Sequence, residues 1–259
     1  MMKKILCCLC LTVFIAGCSS GTFQLPKKEY NARVQVLGVL PLLVDYNSPL
    51  DYPEKDNLFN MLVGSASGQH KLLVEQLRKK KGYFDVRPLS VSPDLTAISL
   101  LSAGSPHDES GWPQGYAFDV ATVARMAKQN VLDAVLVVVL SGEQVNEIRR
   151  SRTKMETLET RYNQIVATAA VIDRDGQVLW TLAGEDSFQA LTLQYPDFDE
   201  AYYNKTDLVR VKNISLSGVK RALEEVPDKK DQLGLPKMYK RLFSEIVGGI
   251  SPSILDPLK

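Results

Sequence analysis

Blocks of apolar and polar residues alternate along the first hundred residues and predict strands and helices in turn. Val34–Val44 is rich in Val and Leu and predicts a first strand, followed by a loop over residues 45–57. Residues 67–81 carry leucines at helical spacing and end in a basic run, which predicts a helix with a cationic last turn. Residues 83–91 alternate and predict a second strand, and residues 92–103 predict a short helix with a serine cap and an early proline.

The centre of the chain carries its most apolar segment. Residues 104–115 combine Gly, Pro and charged residues and predict an exposed loop. A helix is predicted over residues 117–129, with Val120, Ala121, Ala124 and Ala127 facing inward. It leads into residues 132–140, which are almost continuously apolar. Such a run is typical of a strand that is covered on both faces by helices.

A hairpin gives the clearest local signal. The strand-like runs 164–172 and 177–183 are joined by Asp173–Gly176, where glycine allows the positive φ of a tight turn. The charged stretch 141–161 either extends the preceding strand or forms a solvated excursion, and the pattern does not decide between them. Residues 190–259 mix a tyrosine-rich loop with helical segments near residues 217–226 and 236–247. The pattern predicts an α/β fold: a helix-backed mixed β-sheet with a long antiparallel β-hairpin and a helical C-terminal segment.

The first residues have the layout of an export signal. Two lysines precede the apolar stretch Ile5–Ala16, which is too short to span a bilayer, because a transmembrane helix needs about 20 apolar residues. Ile15-Ala16-Gly17-Cys18 resembles the lipobox of bacterial lipoproteins. This resemblance implies cleavage between Gly17 and Cys18 and a lipid on the Cys18 sulfur and amine, which suffices for stable membrane anchoring. The simpler alternative is an ordinary secretory signal with a cysteine beside it.

The lipobox resemblance also implies an address and a partner. The residue after the lipidated cysteine is Ser19, which in lipoprotein sorting usually sends the protein to the outer membrane, whereas aspartate retains it at the inner membrane. We therefore expect a periplasm-facing protein at the outer membrane, with the inner membrane as the alternative. Its first partner is the membrane itself, through the lipid on Cys18.

Cysteine content and charge exclude several classes. The other cysteines, Cys7, Cys8 and Cys10, all lie in the signal, so the mature chain has no disulfide framework. The full chain has 31 basic and 30 acidic residues, and removal of Lys3 and Lys4 leaves a net charge of −1. Such a balance gives no electrostatic case for nucleic-acid binding. The longest apolar run of the mature chain, Ala134–Leu140, suits a buried strand and not a second membrane crossing.

The search for chemistry predicts no catalytic residue, metal or cofactor. His70 and His107 stand in no metal-binding spacing, and His107-Asp108-Glu109 is read as a solvated loop in preference to a ligand set. Residues 64–68 resemble a nucleophile elbow, but the central residue is Ala66 where serine is required. They also lack the lysine of a phosphate-binding loop, so they are interpreted as a Gly/Ser entry to a helix.

Two sets of residues are candidates for contact with other molecules. The basic run Arg78–Lys81 either meets anionic headgroups or simply complements the dipole of its helix, and the second reading is preferred. Trp112, Tyr195, Tyr202 and Tyr203 lie in turn-rich segments and are predicted to be exposed. Of these, Trp112, Tyr202 and Tyr203 are predicted as partner contacts, because exposed aromatic residues often carry protein interfaces. The alternative is that these loop aromatics cover the edge of the core.

Three segments carry a resemblance to a known group of envelope proteins. They are Val36–Pro41, Ala124–Leu140 and Thr168–Trp180, the last with the pattern D-x-D-G-x-V-L-W. Together they resemble the amino-terminal domain of TolB, the curli-secretion lipoprotein CsgG and the penicillin-binding-protein activator LpoB, over about residues 33–190. The group often has Gly-Ala-Asp before the apolar strand, whereas this chain has Val131-Leu132-Asp133. These motifs specify a fold and hold no catalytic group.

The predicted organisation follows from these parts. Residues 1–17 are the cleaved signal, 18–32 a lipidated tether, 33–190 the α/β domain and 191–259 a helical extension packed on it. The resemblance implies a non-enzymatic component that assembles with or binds other envelope proteins. An oligomeric periplasmic collar of a secretion system and a cell-envelope hydrolase are the alternatives, and a homo-oligomer is compatible with the first two.

Overall fold

The computed structural model describes residues 21–226 and 235–251. The predicted signal, Gly17 and Cys18 lie outside the described residues. Eight strands form the main sheet: β1 (Thr22–Phe23), β2 (Val36–Val39), β3 (Leu43–Asp45), β4 (Asp85–Pro88), β5 (Ala134–Arg150), β6 (Thr157–Asp173), β7 (Val178–Leu182) and β8 (Phe188–Thr192). Two more form a small antiparallel sheet: β9 (Gln194–Asp197) and β10 (Arg210–Asn213).

Helices cover both faces of the main sheet. In the described part of the chain they are α1 (Lys27–Arg33), α2 (Lys55–Ala66), α3 (Gln69–Lys79), α4 (Pro93–Leu100), α5 (Val120–Gln129), α6 (Phe198–Tyr203), α7 (Leu216–Glu224) and α8 (Lys237–Ile250). The strand order is β1-β7-β6-β5-β2-β4, with β3 also on β5 and β8 also on β6. Strands β2, β3, β4 and β5 run parallel, and the remaining pairs are antiparallel. The predicted helix-backed mixed sheet is confirmed.

The apolar segment at the centre of the sheet is buried on both faces, as its composition predicts. Successive residues of β5 point to opposite faces. Leu136 and Val138 join the core that contains α2, α3 and α8, whereas Val135 and Val137 join a second core beneath α4 and α5. All four side chains are fully buried, which explains why no polar residue interrupts the run.

The charged stretch 141–161 extends the sheet. Strand β5 continues to Arg150, turns at residues 151–156, and returns as β6, so that 17 residue pairs link the two strands without a shift. Strands β2 and β3 accompany β5 only as far as Ser141, and β8 begins to accompany β6 at Gln164. Residues 146–161 therefore form a two-stranded ribbon that extends beyond most of the sheet, here called the arm.

One long edge of β6 is occupied by three successive elements. Because β5 pairs with every residue of β6 along one edge, both β7 and β8 must lie along the other. Strand β7 covers residues 169–172, and β8 covers residues 164–167 nearer the arm. Leu193 N then donates to Asn163 O, so the chain continues along the same edge into β9 and α6.

At the end of the sheet away from the arm, here called the basal end, two aspartate side chains accept backbone hydrogen bonds. Asp173 Oδ1 accepts hydrogen bonds from the backbone N of Asp175 and Gln177, and Gly176 has a φ of +86° in the predicted tight turn. Asp133 Oδ2 accepts from the backbone N of Gln35 and Val36 and fixes the start of β2. The predicted turn is confirmed, and the D-G signal behind it has a physical reason.

Several predicted boundaries are wrong, each for a local reason. The single strand 34–44 is two strands, because Pro41 has no N–H and the chain shifts from β2 to β3 along β5. The predicted loop 45–57 ends earlier, because helix α2 begins at Lys55. Its Leu58, Phe59 and Leu62 are buried at helical spacing. In α5, Ala127 is buried as predicted, but Val120 and Ala121 are exposed at its first turn.

The two ends of the body also form regular structure. Within the range predicted as a tether, Thr22–Phe23 pairs with β7 as β1, and Lys27 begins α1. Toward the other end, the predicted helical segments are present as α7 and α8, and residues 194–213 fold as the β9–β10 hairpin around α6. The buried apolar side of α8, which includes Tyr239, Leu242 and Phe243, lies in the same core as α2 and α3.

Candidate functional sites

A group of polar side chains is buried where residues 105–116, here called the strap, cross the sheet. Glu143 on β5 is 1% exposed. Its Oε2 lies 2.7 Å from His107 Nε2 on the strap, and its Oε1 accepts a hydrogen bond from Ser141 Oγ. One carboxylate therefore joins the strap to the centre of the sheet.

A second buried carboxylate continues the group. Tyr116 Oη donates to Asp45 Oδ2 over 2.7 Å, so the other end of the strap is bound to β3. Ser48 Oγ donates to Asp45 O and accepts from Gly142 N at 2.9 Å. Residues more than 90 positions apart in sequence thus close one connected set of hydrogen bonds.

Backbone contacts fix the strap in addition to these side chains. Asn146 N on β5 donates to Ser110 O over 2.7 Å, and Gly184 N, just after β7, donates to Pro113 O over 2.7 Å. Gly111 has a φ of +89°, and a Cβ there would lie 2.1 Å from Gln144 O, so the strap contacts the strand too closely for any other residue.

Burial dominates the electrostatics of this group. It raises the pKa of Glu143 and outweighs the hydrogen bonds from Ser141 and His107, which favour the ionised form. The pKa of Tyr116 is raised by burial and by the negative charge of Asp45 beside its hydroxyl. Both groups are thereby held in their protonated forms to a higher pH than usual.

The arrangement is suited to holding the strap and not to nucleophilic chemistry. A catalytic triad places histidine between the serine and the acid, so that the histidine accepts the serine proton. Here the carboxylate of Glu143 lies between Ser141 and His107, and Ser141 is fully buried. No substrate can reach the Ser141 hydroxyl without displacing the strap.

The other polar candidates have structural surroundings. His107 lies in an exposed loop, as predicted, but its ring also contacts the buried carboxyl group of Glu143. His70 is buried on α3, which lowers the pKa of its ring. Residues 64–66 end α2, and residues 67 and 68 lead into α3, in line with the interpretation of this segment as a helix entry. Arg78 Nε donates to Val86 O, so one member of the basic run holds α3 against β4.

The arm is braced against the elements that follow β8. Arg149 contacts Glu147 Oε2 at 2.9 Å, donates to Gln194 O, and lies 3.8 Å from the centre of the Tyr162 ring. Nearer the turn, Arg152 forms an ion pair with Asp199 of α6 over 2.7 Å. Helix α6 and the end of the arm therefore form one continuous surface.

Large apolar and aromatic side chains are exposed on this surface, here called the apical surface. Tyr202 and Tyr203 are 74% and 80% exposed, with ring centres 5.7 Å apart, and Met155 at the turn of the arm is 87% exposed. Its exposed members are Ile148, Met155, Tyr195, Tyr202, Tyr203 and Leu208. The sequence predicts exposure of all three tyrosines, but not of Met155 or Ile148, because the pattern over residues 141–161 does not decide between a strand and a solvated excursion.

The predicted partner contacts belong to two different elements. Trp112 is half-buried in the strap, where its backbone N donates to Asp108 Oδ1, whereas Tyr202 and Tyr203 lie on α6. In the part of the chain that the structure describes, no hydrogen bond or ring contact joins Trp112 to either tyrosine. Contact of these three residues with a partner stays a prediction, as do cleavage after Gly17 and lipidation of Cys18, which lie outside the described residues.

Within residues 21–226 and 235–251, no group of three or more His, Cys, Asp or Glu residues is arranged to hold a metal ion. Over the same residues, no helix has both the length and the apolar character needed to cross a membrane.

Comparison with known proteins gives distant structural likenesses. No family model and no curated protein matches the chain. Solved structures similar to it include a neuraminyllactose-binding hemagglutinin homolog from Helicobacter pylori, with 7% identity, 84% of this chain and 86% of that chain covered, and a TM-score of 0.36. A lipoprotein from Neisseria meningitidis has 18% identity, 60% and 80% coverage, and a TM-score of 0.29. A PelC dodecamer from Paraburkholderia phytofirmans has 14% identity, 61% and 72% coverage, and a TM-score of 0.27.

These scores are too low to carry an argument about function. One of these proteins is a lipoprotein and another is a dodecamer, and both descriptions are properties of those proteins alone. Because no family model matches, the resemblance to the TolB amino-terminal domain, CsgG and LpoB stays a prediction.

Proposed function

We propose that this protein is a lipid-anchored, non-enzymatic component of the cell envelope that binds its partner through the apical surface. The anchor is the lipid on Cys18, and the location is the periplasmic side of the outer membrane. The observation that carries the proposal is the cluster of exposed tyrosines and Met155 on a braced arm.

The apical surface has the composition of a contact surface. Tyrosine and methionine are enriched in protein interfaces relative to the rest of a protein surface. Arg149 and Arg152 hold the arm against β9 and α6, so the elements that carry these side chains are positioned before a partner arrives, which lowers the entropic cost of binding. A solvated hairpin without a partner would need neither exposed apolar residues nor such bracing.

The buried polar group supports a non-enzymatic role. Glu143 and Asp45 are the buried carboxylates nearest to a histidine, a serine and a tyrosine, and this is where a hydrolase site would be sought. Glu143 bonds to Ser141 and to His107 of the strap, and Asp45 bonds to Tyr116 of the strap and to the backbone N of Asn47. The group therefore stabilises the body, and the apical surface is the contact site that we propose.

Site-specific photo-crosslinking in intact cells tests this proposal. A photoreactive amino acid replaces Tyr203 in one variant and Phe84 in a matched control. Phe84 is 84% exposed but lies beside β4, at the opposite edge of the sheet. We expect envelope adducts from position 203 and none from position 84. Equal adduct yields at both positions, or none at position 203, would contradict the proposal.

A further inference from the structure

Strand β1, where the described chain begins, lies at the edge of the sheet that leads to the apical surface. Strand β1 is antiparallel to β7, which is antiparallel to β6, so β1 and β6 run in the same direction. Gly21, the residue before Thr22, therefore lies toward the residues before Ala169, which is the side of the arm. The twist of two successive strand pairs rotates these directions by about 50° and does not reverse them.

The chain between Cys18 and β1 is too short to separate the body from its membrane. Thr22 already pairs with Thr181, and Gly21 is three residues from Cys18. Three residues span at most about 11 Å, so a lipid on Cys18 holds the edge formed by β1 and β7 close to the leaflet. The arm extends about 12 residues, or roughly 40 Å, beyond the level of Ala169. A membrane placed across the direction of the strands at Cys18 would be pierced by the arm, so the membrane must lie along this edge.

The same edge carries the apical surface. Past β1 and β7 it continues through β8 and β9 into α6, where Tyr202 and Tyr203 are exposed. A membrane that lies along the β1 edge is therefore brought to α6 and to the turn of the arm.

The chemistry of the apical surface suits a phospholipid interface. Tyrosine is enriched where proteins meet the headgroup region, because its ring is apolar and its hydroxyl stays hydrated. Met155 adds an apolar side chain, and the exposed cations Arg150 and Lys154 lie beside it on the arm. Such cations attract anionic headgroups. Residues 150–155 contain three basic residues and no acidic one, while Glu156 follows Met155 and Asp199 pairs with Arg152.

From this geometry we propose that the partner of the apical surface is the phospholipid leaflet that holds the Cys18 lipid. Tyr202, Tyr203 and Met155 lie in its headgroup region, and the long axis of the arm lies along the membrane. This inference rests on the proposed function, because it requires the lipid on Cys18.

Depth-dependent fluorescence quenching tests the orientation. Because the mature chain has no cysteine besides Cys18, an introduced cysteine becomes the single free thiol of the lipidated protein. We would label Met155→Cys and Tyr203→Cys with an environment-sensitive fluorophore. Asp175→Cys is the matched control, since Asp175 is exposed in the turn at the basal end of β6. The membrane-extracted lipoproteins are reconstituted into vesicles of phosphatidylethanolamine and phosphatidylglycerol that contain lipids brominated near the headgroup.

The inference predicts a blue shift and quenching at positions 155 and 203, and neither at position 175. Replacement of phosphatidylglycerol by phosphatidylcholine weakens the effect at position 155, next to Arg150 and Lys154. Quenching only at position 175, or equal fluorescence at all three positions, would overturn the orientation while leaving the lipid anchor in place. If intact mass shows no lipid on Cys18, the proposed function and this inference both fail. A protein crosslinked in cells at position 203, without quenching in vesicles, would identify a protein and not the leaflet as the occupant.

Discussion

The two halves of the β5–β6 hairpin belong to the same two strands and share one register, yet they differ in burial. In the basal half, residues 134–140 are buried on both faces, and every side chain contributes to one of two cores. In the apical half, residues 146–161 are buried on at most one face, and the open face carries Ile148, Arg150 and Glu159. The basal half stabilises the protein, whereas the apical half is free to make contacts.

The largest expected effect separates the two halves by stability. Leu136→Ala removes a fully buried side chain from the basal half and should lower the free energy of unfolding by about 2–5 kcal/mol. Ile148→Ala, in the apical half, should change it by less than about 0.5 kcal/mol. Urea unfolding of both variants measures the difference. Similar losses in the two variants would show that the arm belongs to the stabilising core.

Glu143 lies at the border between the halves and should make stability depend on pH. Burial raises its pKa above the ordinary value of 4.5, so the folded chain favours the neutral carboxyl. Its contribution to stability is complete below that ordinary value and is lost as pH rises through the raised folded-state pKa. The stability of wild type relative to Glu143→Gln should therefore fall as pH rises from 4.5, in thermal unfolding at a series of pH values. A difference that is constant with pH, or that rises, would refute the cause given for the shift.

A smaller change in stability, in this case a gain, is expected from a substitution of Val131 at the basal end. Val131 has a φ of +53°, although a β-branched residue is strained in that region, and it is 77% exposed. Val131→Gly relieves about 1–2 kcal/mol of strain against roughly 0.5–1 kcal/mol of glycine entropy, for a net gain of about 0.5–1 kcal/mol. Lys128→Gly, in helical conformation on α5, should instead lose about 1 kcal/mol. A loss of stability in Val131→Gly would show that the backbone at Val131 is not strained.

The smallest effect on stability is expected for the ion pair that braces the arm. Arg152 and Asp199 are both well exposed, and an exposed pair contributes about 0–1 kcal/mol. Arg152→Ala should leave the unfolding midpoint nearly unchanged but loosen α6 from the arm, which faster amide hydrogen exchange in residues 198–203 would report. Unchanged exchange in α6 would show that other contacts hold the apical surface together.

Sequence reasoning was strongest where one local pattern has one physical solution. The apolar run before Ser141 and the turn at Gly176 are of this kind, and the structure confirms both. The Val131 position is informative in another way: the resembling proteins often have glycine there, and its positive φ supplies the reason.

The missed features depend on residues that are distant in sequence. His107 and Glu143 are 36 positions apart, and no spacing rule links a strap histidine to a strand carboxylate. The alternation in residues 146–161 was present, but its many charges matched a solvated excursion equally well. Only the strand pairing shows that the start of β1 points toward the end of the sheet that carries the arm.

The intact mass of the protein extracted from membranes, compared with a Cys18→Ala variant, tests the central claim most directly. The account predicts that the wild-type mass exceeds that of residues 18–259 by a lipid moiety, and that the variant loses both the lipid and its membrane association. An unlipidated wild-type chain released into the soluble fraction would contradict it, because the short tether and the orientation of the apical surface would then have no membrane to act on.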